Sequence, residues 1–309
     1  TELKFVRTGA SKRIAVVGAG PAGLSFSTAA AERGHQVTLF EAADDVGGQF
    51  NIAKKVPGKE EFYETLRYFR NHIKATGVNA KFNTRVTVED LVKGGFDEIV
   101  LATGVVPRTP PIEGVDHPKV LSYLDVLRDG KPVGKTVAVI GAGGIGFDVS
   151  EYLTHEGDSP SLNKDKFYAE WGIDTSYAER GGVKQAHLDK APRKIYLLQR
   201  KTSKVGDGLG KTTGWIHRTS LKNRDVDMIS GATYRKIDEA GLHITMGGQD
   251  TVLPVDNVIL CAGQEPFRAL QEGLVAAGQT VHLIGGADVA AELDAKRAIK
   301  QGAELAASI

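Results

Sequence analysis

Arg13-Ile-Ala-Val-Val-Gly18-Ala-Gly20-Pro-Ala-Gly23 is an apolar run that breaks on three glycines and continues, through Ser25 to Ala31, as a helical segment. Strand, tight turn and helix follow from that order. The first glycine permits the turn, the second lets a pyrophosphate lie against backbone, and the third allows helix and strand to pack closely. One such motif is weak evidence. It returns as Thr136-Val-Ala-Val-Ile-Gly141-Ala-Gly143-Gly-Ile-Gly146, and each copy is followed by a second matching element, Glu98-Ile-Val-Leu-Ala-Thr-Gly104 and Asn257-Val-Ile-Leu-Cys-Ala-Gly263. Gly18 to Gly104 spans 86 positions and Gly141 to Gly263 spans 122, so the second copy is 36 residues longer. The excess falls at about 155–193, a polar stretch containing Pro160, Trp171, Gly181, Gly182 and Pro192. A connection above roughly 12–15 residues tends to be functional or disordered. A tolerated surface excursion and a lid or docking surface are both compatible with it.

The rest of the chain alternates helix and strand, as a parallel sheet requires. Gly34 ends the first helix and Gln36-Val-Thr-Leu-Phe-Glu41 reads as the next strand. Lys59 to Thr76 carries Phe62, Leu66, Phe69 and Ile73 at helical spacing, a core-facing stripe closed by Gly77. Pro107, Pro110 and Pro111 mark a crossing, and Gly263 to Pro266 a return. The second unit is therefore inserted in the first: residues 1–110 and 264–309 form one discontinuous domain and 111–263 the other. The expected class is α/β, two Rossmann-like dinucleotide-binding domains. A length of 309 residues agrees with two domains.

Composition narrows the function. The 39 Lys and Arg nearly cancel 38 Asp and Glu, which speaks against nucleic acid or a polybasic membrane-surface protein. No apolar run approaches the ~20 residues of a spanning helix, and no signal-like order opens the sequence, so a soluble cytoplasmic protein is expected. The single cysteine, Cys261, allows neither a redox dithiol nor a thiolate-held cluster within this chain, so two-electron chemistry needs a borrowed cofactor. Glu41 lies 23 positions after Gly18, where a carboxylate accepts hydrogen bonds from ribose hydroxyls. In the second copy the strand Lys194-Ile-Tyr-Leu-Leu-Gln-Arg200-Lys201 ends in bases. A 2′-phosphate asks for Arg or Lys, which favours NADPH, with Arg200 first and Lys201 and Lys204 in support. An ordinary solvated basic edge is the competing explanation.

Val46-Gly47-Gly48-Gln49 and Asp288, ahead of a final helix through Ala306, complete a pattern that resembles the glutathione-reductase-type two-dinucleotide flavoproteins. The resemblance implies FAD in the first domain, held by Gly18, Gly20, Gly23, Glu41, Gly48, Gln49, Thr103, Gly104 and Asp288. It places Asp288 at the ribityl and pyrophosphate region, with the following helix presenting its positive end to the flavin. NADPH falls to Gly141, Gly143, Gly146, Arg200, Lys201 and Gly263. A finer match lies in Glu170-Trp-Gly-Ile-Asp174, Gly208-Leu-Gly-Lys-Thr-Thr-Gly-Trp-Ile-His-Arg218, Ala262-Gly-Gln-Glu-Pro266 and His282-Leu-Ile-Gly-Gly-Ala-Asp288. These are similar to the C-terminal half of bacterial NADPH-dependent 2,4-dienoyl-CoA reductase, an enzyme of fatty acid β-oxidation. That family's N-terminal half is a TIM barrel with FMN, a four-iron four-sulfur cluster and the substrate-protonating residues. Its counterpart is the partner implied for this chain, which begins at Thr1 and looks like a cut or separately expressed portion.

The resemblance implies hydride transfer from NADPH to FAD and onward relay of electrons, with no catalytic acid or base and no metal site in this chain. The isolated chain is not expected to reduce a dienoyl-CoA. A free-standing NADPH reductase of ferredoxin or quinone, and a non-catalytic module holding only ADP, as the trimethylamine dehydrogenase resemblance permits, stay as alternatives. His217 and Arg218 lie in a family-specific run, but a lone histidine is more often structural. Lys211, Thr212 and Thr213 lack the spacing of a triphosphate loop. Cys261 reads as a small buried hydrophobe.

Overall fold

The structure, a computed structural model, describes residues 3–291 and 294–309. The described residues form two compact units. The first takes residues up to Asn51, Glu61–Val106 and Gln264–Ile309, and the second takes Ile52–Glu60 and Pro107–Gly263.

In the first unit five parallel strands lie in the order Val281–Leu283, Glu98–Leu101, Arg13–Val17, Gln36–Phe40 and Asn79–Lys81. Ile14, Ala15 and Val16 are wholly buried, which is why this strand reads as continuous apolar sequence: both faces of a parallel sheet are covered. Pro21 opens the helix Pro21–Glu32, where its missing N–H costs nothing. That helix packs along Ala295–Ser308. A Cβ on Gly302 would lie 2.4 Å from the Ala22 carbonyl oxygen, so only glycine permits the approach. Helix Phe62–Ala75 buries Leu66, Phe69 and Ile73, each contributing roughly 1.5–3 kcal/mol, and Val78 N–H closes on the Ile73 carbonyl at 3.0 Å.

The second unit repeats the arrangement. Its parallel strands run Val120–Ser122, Asn257–Leu260, Thr136–Ile140, Lys194–Leu198 and Asp227–Ile229. The central strands correspond one to one with those of the first unit, but the edge strand next to Asn257–Leu260 comes from upstream of the glycine motif, whereas Val281–Leu283 comes from downstream. An antiparallel meander, Thr233–Asp238, Gly241–Met246 and Gln249–Leu253, packs Ile237, Leu242, Ile244 and Leu253 against Ala138, Ile140, Val258 and Leu260.

The 155–193 stretch contains a helix of its own. Helix Lys164–Trp171 is capped by the Asn163 side chain and ends on Gly172 at φ 62°. Glu170, at its end, meets Arg224 at 2.5 Å, with both side chains buried. Ser220 donates to Glu151 at 2.8 Å beside this pair, and burial pushes the Glu151 carboxyl above its ordinary value. Among the described residues no helix is long and apolar enough to cross a membrane.

Candidate functional site

The three glycines of each turn do different work, and the two turns agree. Gly18 sits at φ 107° and Gly141 at φ 109°, backbone that L side chains rarely adopt. A Cβ on Gly23 would lie 2.0 Å from the Gly18 carbonyl oxygen, and one on Gly146 would lie 1.8 Å from that of Gly141. By contrast, a Cβ on Gly20 or Gly143 would meet nothing within 4 Å. The outer glycines are thus demanded by packing, and the middle one faces open space. Gly20 and Gly143 are also the N-caps of helices Pro21–Glu32 and Gly144–Thr154, which among the described residues no side chain caps and whose first turns hold no acid. Unsatisfied N–H groups and the positive helix end there suit an anion such as a pyrophosphate. The donor set fits a dinucleotide at both turns.

The residues that could discriminate between ligands lie one position beyond the neighbouring strand. Glu41 accepts from Ala19 N–H at 2.7 Å and from Ala43 N–H at 2.9 Å, so it braces the first glycine turn. A carboxylate has about four lone-pair sites, which leaves acceptors over for ribose hydroxyls. In the second unit the register Ile140 to Leu198 puts Gln199, not a base, in the place of Glu41. Its amide donates to the Lys201 and Ser203 carbonyls at 3.1 and 2.7 Å, shaping the turn that carries Arg200, Lys201 and Lys204, all exposed. No motif marks Gln199, although the internal repeat, aligned strand against strand, points to it.

The other residues of the first unit gather at the carboxyl ends of the same strands. Gly47 N–H donates to the Ala19 carbonyl at 2.8 Å, and a Cβ on Gly48 would come within 3.1 Å of Gly20 Cα; Gln49 is exposed. Thr103 Oγ1 donates to the Phe267 carbonyl, whose own N–H donates to Gly104 at 3.0 Å. Gly104, at φ 74°, faces open space. Asp288 follows the short turn Gly285–Ala287, and a Cβ on Gly286 would lie 3.1 Å from the Gly104 carbonyl carbon, so this turn adjoins the Thr103–Gly104 segment. The final helix, expected to present its positive end to the flavin, begins on a carboxylate. Helix Ala295–Ser308 is capped by Asp294, which accepts from Arg297 N–H at 2.5 Å, and that carboxylate offsets the helix field. In the second unit Gly263 lies at φ 106° beneath Arg108, whose Nε donates to the Ala262 carbonyl at 2.9 Å; no sequence signal singled out Arg108.

The remaining candidates are not brought together. Burial, then the charge of Lys59, lowers the pKa of His217. Arg218 donates to the Gly206 carbonyl at 2.9 Å, a structural role. Lys211, Thr212 and Thr213 are exposed. Cys261 is 7% exposed, and burial pushes its thiol up, away from the reactive thiolate. Among the described residues no group of His, Cys, Asp or Glu could hold a metal ion.

The sequence profile of the pyridine nucleotide-disulphide oxidoreductases matches residues 12–295. The chain belongs to that family. Proteins of this family generally bind FAD and NAD(P)H. The chain is similar to a metal reductase of Desulforamulus reducens, with 30% identity over 93% of this chain and 42% of that protein. Against a bilirubin reductase of Mediterraneibacter gnavus it is 26% identical over 94% of this chain and 40% of that protein. A solved 2-naphthoyl-CoA reductase complex superimposes with a TM-score of 0.82 at 25% identity, covering 99% of this chain and 41% of the other. Histamine dehydrogenase from Rhizobium sp. 4-9 shares the fold, with a TM-score of 0.77 at 22% identity over 99% of this chain and 45% of the other. The chain therefore spans well under half the length of these relatives.

Proposed function

We propose that the chain is the NADPH-accepting, electron-relay portion of a 2,4-dienoyl-CoA reductase-like oxidoreductase, holding FAD in the first unit and NADPH in the second. One observation carries the reading: two cradles of the same glycine geometry stand beside strand ends of unlike charge, Glu41 in one and Gln199-Arg200-Lys201 in the other. Uncapped N–H groups after Gly20 and Gly143 take the pyrophosphates. Glu41 takes a ribose without a 2′-phosphate, Arg200 and Lys201 take a 2′-phosphate, and Asp288 meets the ribityl chain. Gly48 and Gln49, Thr103 and Gly104 line the flavin side, and Gly263 the nicotinamide side. Bound FAD supplies the two-electron acceptor and NADPH the hydride, so the side chains need only bind and orient.

The relatives support the relay. Reductases named for a metal, bilirubin and 2-naphthoyl-CoA have little in common as acceptors, yet this chain matches a similar share of each, 42, 40 and 41%. A segment common to such different enzymes suits the electron-input step, with the acceptor chosen elsewhere. The implied partner is an FMN and iron–sulfur domain or an equivalent acceptor, in the cytoplasm. The test is spectroscopic. The polypeptide should be yellow, release FAD on denaturation, bleach with NADPH under argon and reduce artificial acceptors without turning over a dienoyl-CoA. A colourless protein that releases ADP, or steady dienoyl-CoA turnover by this polypeptide alone, overturns the proposal.

A further inference from the structure

The turn that carries Asp288 is held from two sides. On one side the Arg268 guanidinium donates to the carbonyls of Ala287, at 2.6 Å, and of Asp288. These contacts fix the backbone and do not engage the Asp288 carboxylate. On the other side Gln301, in helix Ala295–Ser308, spans the turn with both ends of its amide. Its oxygen accepts from Gly285 N–H at 2.8 Å and its nitrogen donates to Asp288 Oδ2 at 2.7 Å. The reach depends on the next residue. Because Gly302 carries no Cβ, the helix lies against the Ala22 carbonyl, and that depth brings Gln301 to the turn. Helix Pro21–Glu32, against which it lies, is the one that opens at the Gly20 cradle.

We infer that Gln301 is a positioning residue for the flavin site, orienting the Asp288 carboxylate so that one oxygen is engaged and the other is left for a hydroxyl of the ribityl chain. The inference rests on the assignment of FAD to the first unit and deepens it. A side-chain amide suits the task because it accepts and donates at once; a carboxylate or an aliphatic chain of similar length does not. The hydrogen bond to a charged acceptor is among the stronger ones, so its loss weakens a ligand that relies on that carboxylate by about tenfold or more.

The experiment is a double-mutant cycle read by FAD titration of the flavin-stripped protein, followed through flavin fluorescence. Asp288→Ala and Gln301→Leu should each weaken FAD binding. The double variant Asp288→Ala/Gln301→Glu, which keeps the acceptor for Gly285 N–H, should bind no more weakly than Asp288→Ala alone, because the carboxylate through which Gln301 acts on the flavin is then gone. Gln301→Glu keeps the acceptor for Gly285 but sets a second carboxylate against Asp288 Oδ2 in place of the donor; at neutral pH it should weaken FAD at least as much as Gln301→Leu. Losses that multiply in the double variant, or full affinity in Gln301→Glu, overturn the inference while leaving the flavin reading intact. A parent protein that takes up no FAD overturns both.

Discussion

Gly20 and Gly23 stand three positions apart and answer to different constraints. A methyl group on Gly23 collides with the Gly18 carbonyl at 2.0 Å, whereas one on Gly20, at φ −79°, projects into open space. Gly23→Ala should therefore lower the stability of the flavin-free protein by about 1–3 kcal/mol, as overpacking does. Gly20→Ala should leave urea unfolding unchanged and weaken only the dinucleotide, as measured by FAD titration. At the second cradle, Arg200→Glu replaces attraction for a 2′-phosphate by repulsion. NADPH affinity should fall about 10- to 100-fold while NADH is little affected; equal losses would defeat the assignment. The glycine turns and the strand-end place of Glu41 were legible in the sequence because they follow from local sterics and spacing. Gln199, Arg108 and Gln301 were not, since each depends on register or on the depth at which a distant helix settles.

Among the elements, the short helix Tyr123–Leu127 owes its start to a reciprocal cap. Asp125 accepts from Ser122 N–H at 2.7 Å while Ser122 Oγ accepts from Asp125 N–H at 3.2 Å, and Lys131 pairs with the same carboxylate. Burial would raise the Asp125 carboxyl, but Lys131 and Ser122 outweigh it and hold the group at about 2, below its ordinary 3.8. A carboxylate depressed on folding stabilises above its unfolded value and loses that contribution as pH falls towards 2. Asp125→Ala should thus cost about 1 kcal/mol near neutrality, and the gap to the parent should close between pH 4 and 2 in urea titrations. Strands and helices with strong periodicity were readable: the Phe62–Ile73 stripe is core, in a helix that starts at Phe62 rather than Lys59. The antiparallel meander went unread, although Gly247-Gly248 between Gly241–Met246 and Gln249–Leu253 is a hairpin signal. Its pairing is fixed by burial against the parallel sheet.

At the scale of the molecule, the doubled unit was the most legible feature, because repetition converts two weak motifs into one strong pattern. What escaped is the affiliation of Ile52–Glu60 with the second unit, where Ile52 joins the cluster of Tyr123 and Phe147 and Lys59 pairs with Asp148 at 2.6 Å. Nothing local marks such a detour. The permuted edge strands carry a consequence for synthesis. The second unit has every strand of its sheet once Leu260 has left the ribosome. The first, though begun at Arg13, waits for Val281–Leu283 to cover the flank of Glu98–Leu101. At ~5–20 residues per second, the nascent chain carries an open β-edge for about 1–5 s after the inserted half can close. During that interval the half that started first is the one exposed to chaperones and to aggregation.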